Sequence, residues 1–268
     1  MLIYAIKLLY LVKNKERKKL KNKRLLFAIA VLFGLSGCAS TSTPDDGALE
    51  RYNRAMFSFN NKIDRFVVRP IAKGYKVVTN KYVRQRVSNF FNNIEEPVSA
   101  LNHMLQGEFS STGNNLGRFV LNTTLGVVGL YDVASSVGLD RDKASFDETL
   151  ATWCVPDGPF VVLPIVGPST PRSAIGFAVD GYSSPSYWIA HEAGDGDAMK
   201  MYYAATGLKY VNLMAENLSF IEGLEKDSLD YYSAVKSMYM QNRSKLPRCG
   251  NIKDVSLDYD FDMDDMGY

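Results

Sequence analysis

Two histidines, His103 and His191, are the only imidazoles in this 268-residue chain, and proton transfer or metal ligation near neutral pH would draw on one of them. His191 stands directly beside Glu192, and adjacent residues do not share a helical face, so the pair cannot present two ligands together. His103 falls between apolar positions at helical spacing, where a structural histidine is the plainer reading. The pair Glu95-Glu96 could do general acid–base work, but it stands just before Pro97, and a charge at a helix end explains it as well. The chain has no H-E-x-x-H, G-x-S-x-G or P-loop spacing. We therefore expect no enzyme, no cofactor and no metal.

The residue with the clearest chemistry is a cysteine. Lys18, Lys19, Lys21, Lys23 and Arg24 precede the apolar run 25–35, and Leu35-Ser36-Gly37-Cys38 follows. A basic region, an apolar core of this length and small residues at the cut define an export signal. A cysteine directly after Leu-Ser-Gly matches the lipobox of bacterial lipoproteins, in which Cys38 is acylated and becomes the first mature residue. Ala39 follows where an aspartate would favour inner-membrane retention, so sorting to the outer membrane is expected. A second apolar run, 1–12, lies ahead of the basic cluster, and we expect translation to begin near Leu20. The precursor holds 31 basic and 29 acidic residues; residues 1–37 take nine and one of these, leaving 22 against 28, a net charge of −6. The basicity belongs to the signal, and no nucleic-acid partner is implied. The other cysteines, Cys154 and Cys249, could pair in an oxidising compartment, closing a loop of about 95 residues worth roughly 4 kcal/mol; two cysteines alone do not specify a bridge.

The positioning elements read as helices. Tyr52, Met56, Phe59, Ile63 and Phe66 step by three and four, with Pro70 ending or bending the helix. Val83, Val87, Phe90, Ile94, Val98, Leu101 and Leu105 continue the spacing across Pro97; Met201 to Leu218 and Leu229 to Tyr239 form later stripes. Thr170-Pro171 places a capping hydroxyl before a proline, so a helix should run from Pro171 to about Gly181. Strand-like text is scarce beyond the apolar run 160–163. The expectation is an all-α single domain of seven to nine helices, with most stripe residues in its core. It divides into a signal at 1–37, a lipidated tether at 38–47, a helical domain at 48–245 and an acidic, disordered tail at 246–268, where 254–265 alone hold six acids. The first helix should lie in a membrane interface on Tyr52, Met56, Phe59 and Ile63, with Arg51, Arg54, Lys62 and Arg65 offered to head groups.

One segment fits neither core nor span. From Phe119 to Leu139 there is one charge, Asp132, and three glycines. Its charge-free part, 119–131, is too short for a membrane-crossing helix, which needs about twenty apolar residues. Irregular backbone at membrane depth is tolerated where it is buried in protein or lines a wet cavity. Asn122, Thr123, Thr124, Leu125, Gly126, Val127, Val128, Gly129 and Asp132 are accordingly the candidate border of a lipid path, and Gly126 and Val128 the positions expected to accept a bulky side chain without loss of folding.

Several blocks, taken together, resemble the MlaA (VacJ) family: LERYNRAMFSFN at 49–60, DRFVVRP at 64–70, VSNFFNNIEEP at 87–97, LQG at 105–107, RFVLNTTLG at 118–126, GPFVVLP at 158–164, GPST at 167–170, and 230–232 through 241–243. The resemblance covers about 48–245. It departs from the family pattern at Arg51, at Asp147-Glu148 where Gly-Gln is expected, at Cys154, and at Ser173-Ala174 where an aspartate near Arg172 is expected. It implies an all-helical, ring-like lipoprotein in the periplasmic leaflet of the outer membrane, with a central amphipathic channel. Such a protein takes phospholipids misplaced in the outer leaflet and passes them to a soluble periplasmic carrier, beside a trimeric porin and with no nucleotide of its own. The residues leave two alternatives, an envelope-tethering structural lipoprotein and a periplasmic lipid hydrolase.

Overall fold

The computed structural model describes residues 46–194, 196–246 and 249. The signal, the proposed start near Leu20, Cys38, the tether up to residue 45 and the acidic tail from 250 lie outside the described residues. Ten α-helices, one π-helical turn and one two-stranded sheet make up the described elements.

Helix α1 (Asp46–Ile63) passes without a break into a π-helical turn, Asp64–Val68, and then into α2 (Arg69–Val78). Pro70 stands directly after the widened turn, in the first turn of α2, and the helix runs on through it, so the proline does not end it. The Asn80 side chain accepts from the Val83 N–H at 2.9 Å and opens α3 (Lys81–Gln106), which closes on Gly107 in the left-handed region. Pro97 lies inside α3, where it cannot donate to the Asn93 carbonyl. Next come α4 (Phe109–Thr124), the single turn α5 (Val133–Ser136) and α6 (Phe146–Thr152), the last opened by a reciprocal Ser145–Glu148 capping box.

Strands β1 (Val161–Leu163) and β2 (Gly167–Ser169) pair antiparallel in the register Val161 to Ser169 and Leu163 to Gly167. Helix α7 (Pro171–Ser183) starts at the Thr170 cap with Pro171 in its first turn, as its sequence indicates. α8 (Pro185–Glu192), the long α9 (Gly196–Asp227) and α10 (Tyr231–Ser244), capped by Asp230, complete the chain. Within the unit Ala48–Tyr268, neighbour contacts run from α3 to α6, α7, α8 and α9 and back to α3, a closed cycle of helices; α4 lies along α3, and α10 against α9 and β2. The fold class is all-α. The count exceeds the seven to nine helices expected because α5, α6 and α8 are too short to carry a readable apolar period.

The core corrects a second expectation. Of the stripe residues assigned to it, only Ala215, Leu218 and Tyr232 are fully buried; Tyr52, Phe59, Phe66, Val83, Leu101, Leu105, Met201 and Leu208 are exposed. The largest fully buried side chains are Arg118, Val162, Asn53, Asn115, Asn212, Thr149 and Thr170. Among the described residues one compact apolar cluster remains, Phe160, Val162 and Tyr232 with Met56, Phe57 and Tyr239 packed on it. Cys154 and Cys249 form a disulfide, with Cα atoms 4.5 Å apart.

Candidate functional site

The unusual segment begins where α4 ends. Thr124 bonds back to the Val120 carbonyl at 2.7 Å, and the last carbonyls of α4 receive the N–H groups of the following turn: Leu125 to Leu121, Gly129 to Asn122 and Val128 to Thr123. Val127, Val128 and Gly129 all take left-handed backbone, with φ of 54°, 58° and 87°. For a β-branched residue this conformation costs roughly 1–2 kcal/mol, and strain of this kind persists only where its surroundings over-determine it. Gly126 is required for another reason. A Cβ there would meet the Tyr131 carbonyl oxygen at 2.2 Å and the Asn122 oxygen at 2.4 Å. The expectation that Gly126 accepts a bulky residue is therefore wrong; Val128 is 61% exposed.

Asn122, Thr123 and Asp132 turn inward, while Thr124 is exposed. Arg118, 1% exposed, donates from Nε to Glu96 at 2.9 Å, from Nη1 to Ser135 Oγ at 3.0 Å and to the Leu139 carbonyl, and from Nη2 to both oxygens of Asp132 at 3.0 and 3.1 Å. Asn122 donates to Asp132 Oδ1 at 3.0 Å and accepts from the Ala134 N–H at 2.9 Å; Thr123 Oγ1 accepts from Asn93 at 2.8 Å. Burial pushes the Glu96 carboxyl up, against the pull of Arg118. At Asp132 burial acts the same way, but hydrogen bonds from Ser135, Arg118 and Asn122 outweigh it and hold the carboxyl below its usual range. The apolar members face out, Leu125 at 66% and Val127 at 57% exposure. The segment is thus an apolar loop bolted to a charged interior.

Helix α3 follows the same rule. Asn93, Glu96, Ser99, His103 and Gln106, stepping by three and four, are buried, while Leu101, Met104 and Leu105 are exposed. The acid pair is taken up in ion pairs: Glu96 holds Arg118, and Glu95 meets Lys209, Arg141 and Lys143. On α1 the buried face is the asparagine face. Asn53 donates to the Phe160 carbonyl at 3.0 Å and accepts from the Val162 N–H at 2.8 Å; Asn60 donates to the Leu163 carbonyl at 2.8 Å and accepts from the Ile165 N–H at 2.7 Å. Two side-chain amides thus take the place of a neighbouring strand for β1. Of the interfacial residues read from sequence, Tyr52 and Phe59 are exposed, Met56 packs on the apolar cluster and Ile63 lines a cavity. Of the cations offered to head groups, Arg54 is engaged with Glu50 and Asp230, and Arg65 with Glu225.

That cavity, about 290 Å³, opens between α1, the π-helical turn, the β1–β2 turn, α9 and α10. Phe57, Ile63, Met214, Leu224, Val235 and Met238 give it apolar walls, and Asn60, Asn61 and Asp64 a polar edge. None of the nine path candidates at 122–132 lines it. The sequence signals for these features were the polar residues at helical spacing on α3 and the Asn53/Asn60 pair seven apart on α1. Asp147 lies in the same category: its carboxylate accepts from Arg172 Nε at 2.9 Å and from Arg243 at 2.7 Å, supplying from α6 the acid that Ser173-Ala174 lack beside Arg172.

Apolar side chains that face outward over a polar interior define a helical protein made for an apolar surrounding, and no described helix is long and apolar enough to cross a membrane. The chain belongs to the MlaA lipoprotein family, whose family model matches residues 45–246. It is 33% identical over 232 residues to the intermembrane phospholipid transport system lipoprotein MlaA of Haemophilus influenzae, covering 83% of this chain and 90% of that protein. Its likeness to the Escherichia coli K12 protein of the same description is 33% over 226 residues, 82% and 86% of the two chains. It is also 36% identical over 209 residues to an uncharacterized Rickettsia typhi protein, 78% and 79% of the two chains. A solved structure reported as "Structural basis for maintenance of bacterial outer membrane lipid asymmetry" superposes with a TM-score of 0.62 at 33% identity, covering 76% of this chain and 98% of that one.

Proposed function

We propose that this chain is the outer-membrane lipoprotein of an intermembrane phospholipid-transport system, anchored through acylated Cys38 in the periplasmic leaflet. It removes phospholipids misplaced in the outer leaflet, so preserving lipid asymmetry, and passes them to a soluble periplasmic carrier beside a trimeric porin. The reversed polarity of α3 is the observation that carries this reading: Leu101, Met104 and Leu105 face out and Asn93, Glu96 and Gln106 face in. Such a face is disfavoured in water at about 25 cal/mol for each Å² of apolar surface, and is matched by acyl chains. The exposed Tyr52 and Phe59 support a reading in which α1 lies at the interface, the apolar loop at Leu125, Val127 and Val128 borders the lipid path, and the cavity against α1 takes part of an acyl chain.

The test is a strain lacking this chain, assayed for phospholipid in the outer leaflet and for envelope permeability. The wild-type gene should restore both. Val128→Trp should fold, reach the outer membrane and fail to restore them, and Cys38→Ala should not be retained there. A strain whose outer leaflet is unchanged without the chain, or a gently purified protein that carries no phospholipid, would refute the proposal.

A further inference from the structure

We propose that His103, Glu108 and Asp142 form a zinc-type divalent cation site that ties the 140–145 segment to the corner between α3 and α4. One nitrogen of His103 and one carboxylate oxygen from each acid lie within 4.8 Å of one another. Zinc takes nitrogen and oxygen ligands at about 2.0–2.2 Å, so His103 Nε2 and Asp142 Oδ2, 3.5 Å apart, need only small side-chain adjustments to share one ion, with Glu108 on the other ring nitrogen.

The second observation is the state of the imidazole. His103 is 3% exposed, and its Nδ1 lies 2.9 Å from Glu108 Oε2. Its Nε2 has no hydrogen-bond partner, although Asp142 Oδ2 is 3.5 Å away. Neither protonation state resolves this. An imidazolium leaves a buried N–H without an acceptor in line, and a buried unsatisfied donor costs about 1–3 kcal/mol. A neutral ring donating from Nδ1 to Glu108 leaves a bare Nε2 lone pair facing a carboxylate oxygen. A metal ion beside Nε2 satisfies both acceptors. Glu108 then holds the opposite ring nitrogen, the carboxylate–histidine–metal relay that fixes a ligand's tautomer.

Charge and positioning agree. Among the described residues neither Glu108 nor Asp142 lies within ion-pair distance of a lysine or arginine, so with a neutral ring the cluster carries two negative charges. The loop that presents Asp142 is already fastened to α4: Asn115 donates to the Asp142 carbonyl and Asn114 to the Asp140 carbonyl, each at 2.7 Å. Asp142 is half-exposed, which leaves room for water to complete the coordination shell. Imidazole in the donor set favours zinc over calcium or magnesium. The sequence hid this site, because 33 residues of intervening chain separate Glu108 from Asp142.

The experiment uses the full-length protein without a histidine tag, stripped with chelator in detergent and titrated with zinc sulfate, reading bound metal per chain and melting temperature. One zinc per chain at micromolar free metal and a rise of about 2–4 °C are expected. Asp142→Asn, a change on a half-exposed loop, should weaken binding at least tenfold, Glu108→Gln should weaken it too, and His191→Gln should leave it unchanged. Absence of stoichiometric zinc in the wild type, binding that survives Asp142→Asn, or binding lost with His191→Gln would overturn the site.

Discussion

Two regions of the domain are held together by opposite means. Where α1, β1 and α10 meet, Phe160 lies edge-on to Tyr239 with ring centroids 5.6 Å apart and Phe57 to Tyr232 at 5.4 Å, around a fully buried Val162. Where α3, α4 and α5 meet, the centre is Arg118 with Glu96, Asp132, Asn122 and Ser135. Under the proposed function, the difference follows from what lies outside each. Burying an apolar side chain is rewarded only if the alternative is water. Facing lipid, an interior leucine gains little over an exterior one, and packing and hydrogen bonds decide the association. The exposed Leu116, Val120, Leu125 and Val127 on the α4 side are what this account expects beside a polar centre.

The largest expected effect is in the polar region. Arg118→Met leaves the Glu96 and Asp132 carboxylates without their shared cation and should cost about 3–5 kcal/mol, read as a large drop in melting temperature in detergent. Arg118→Lys should rescue little, since an ammonium cannot reproduce the fork that reaches both Asp132 oxygens. A loss below about 1 kcal/mol would mean the network is solvated and the comparison is false.

Gly126→Ala comes next. The new methyl meets backbone oxygens from two sides, and overpacking at this level should cost about 1–3 kcal/mol. In the apolar region the matching change is mild: Phe160→Leu should cost less than about 1.5 kcal/mol, because shape can be repacked where charge cannot be re-paired. Equal losses for Phe160→Leu and Arg118→Lys would erase the distinction. Val128→Gly should raise stability by up to about 1 kcal/mol by relieving left-handed backbone on a β-branched residue, while removing an outward apolar contact.

The smallest effect is one of pH, and its sign differs between the two regions. Asp230, at the start of α10, is held at about 2 by the Arg54 hydrogen bond foremost and Ser233 after it. Its contribution is complete above the unfolded value near 3.8 and is lost as pH falls through about 2, so Asp230→Asn and wild type should differ above pH 4 and converge at pH 2. Glu96 behaves in the opposite sense. Burial raises its folded value, so the folded state is favoured by acidification down towards 4.5 and loses that contribution as pH rises through the shifted value. A Glu96→Gln variant whose stability falls as steeply with rising pH as that of wild type would remove this assignment.

Residue order alone determined a good deal here. Helical periodicity and the Thr170-Pro171 start are local, and each is where its residues indicate. The family is likewise carried by short blocks in fixed order. Three things depended on tertiary structure. An amphipathic stripe has two faces and no label for which is inside, and here the polar face of α3 and the asparagine face of α1 are the buried ones. The Cys154–Cys249 bridge and the convergence of His103 with Asp142 join positions far apart in the chain, and spacing does not specify pairing. Gly126 read as a free joint beside a path; only the returning Tyr131 carbonyl, brought back by the left-handed turn at 127–129, makes it a position where no side chain fits.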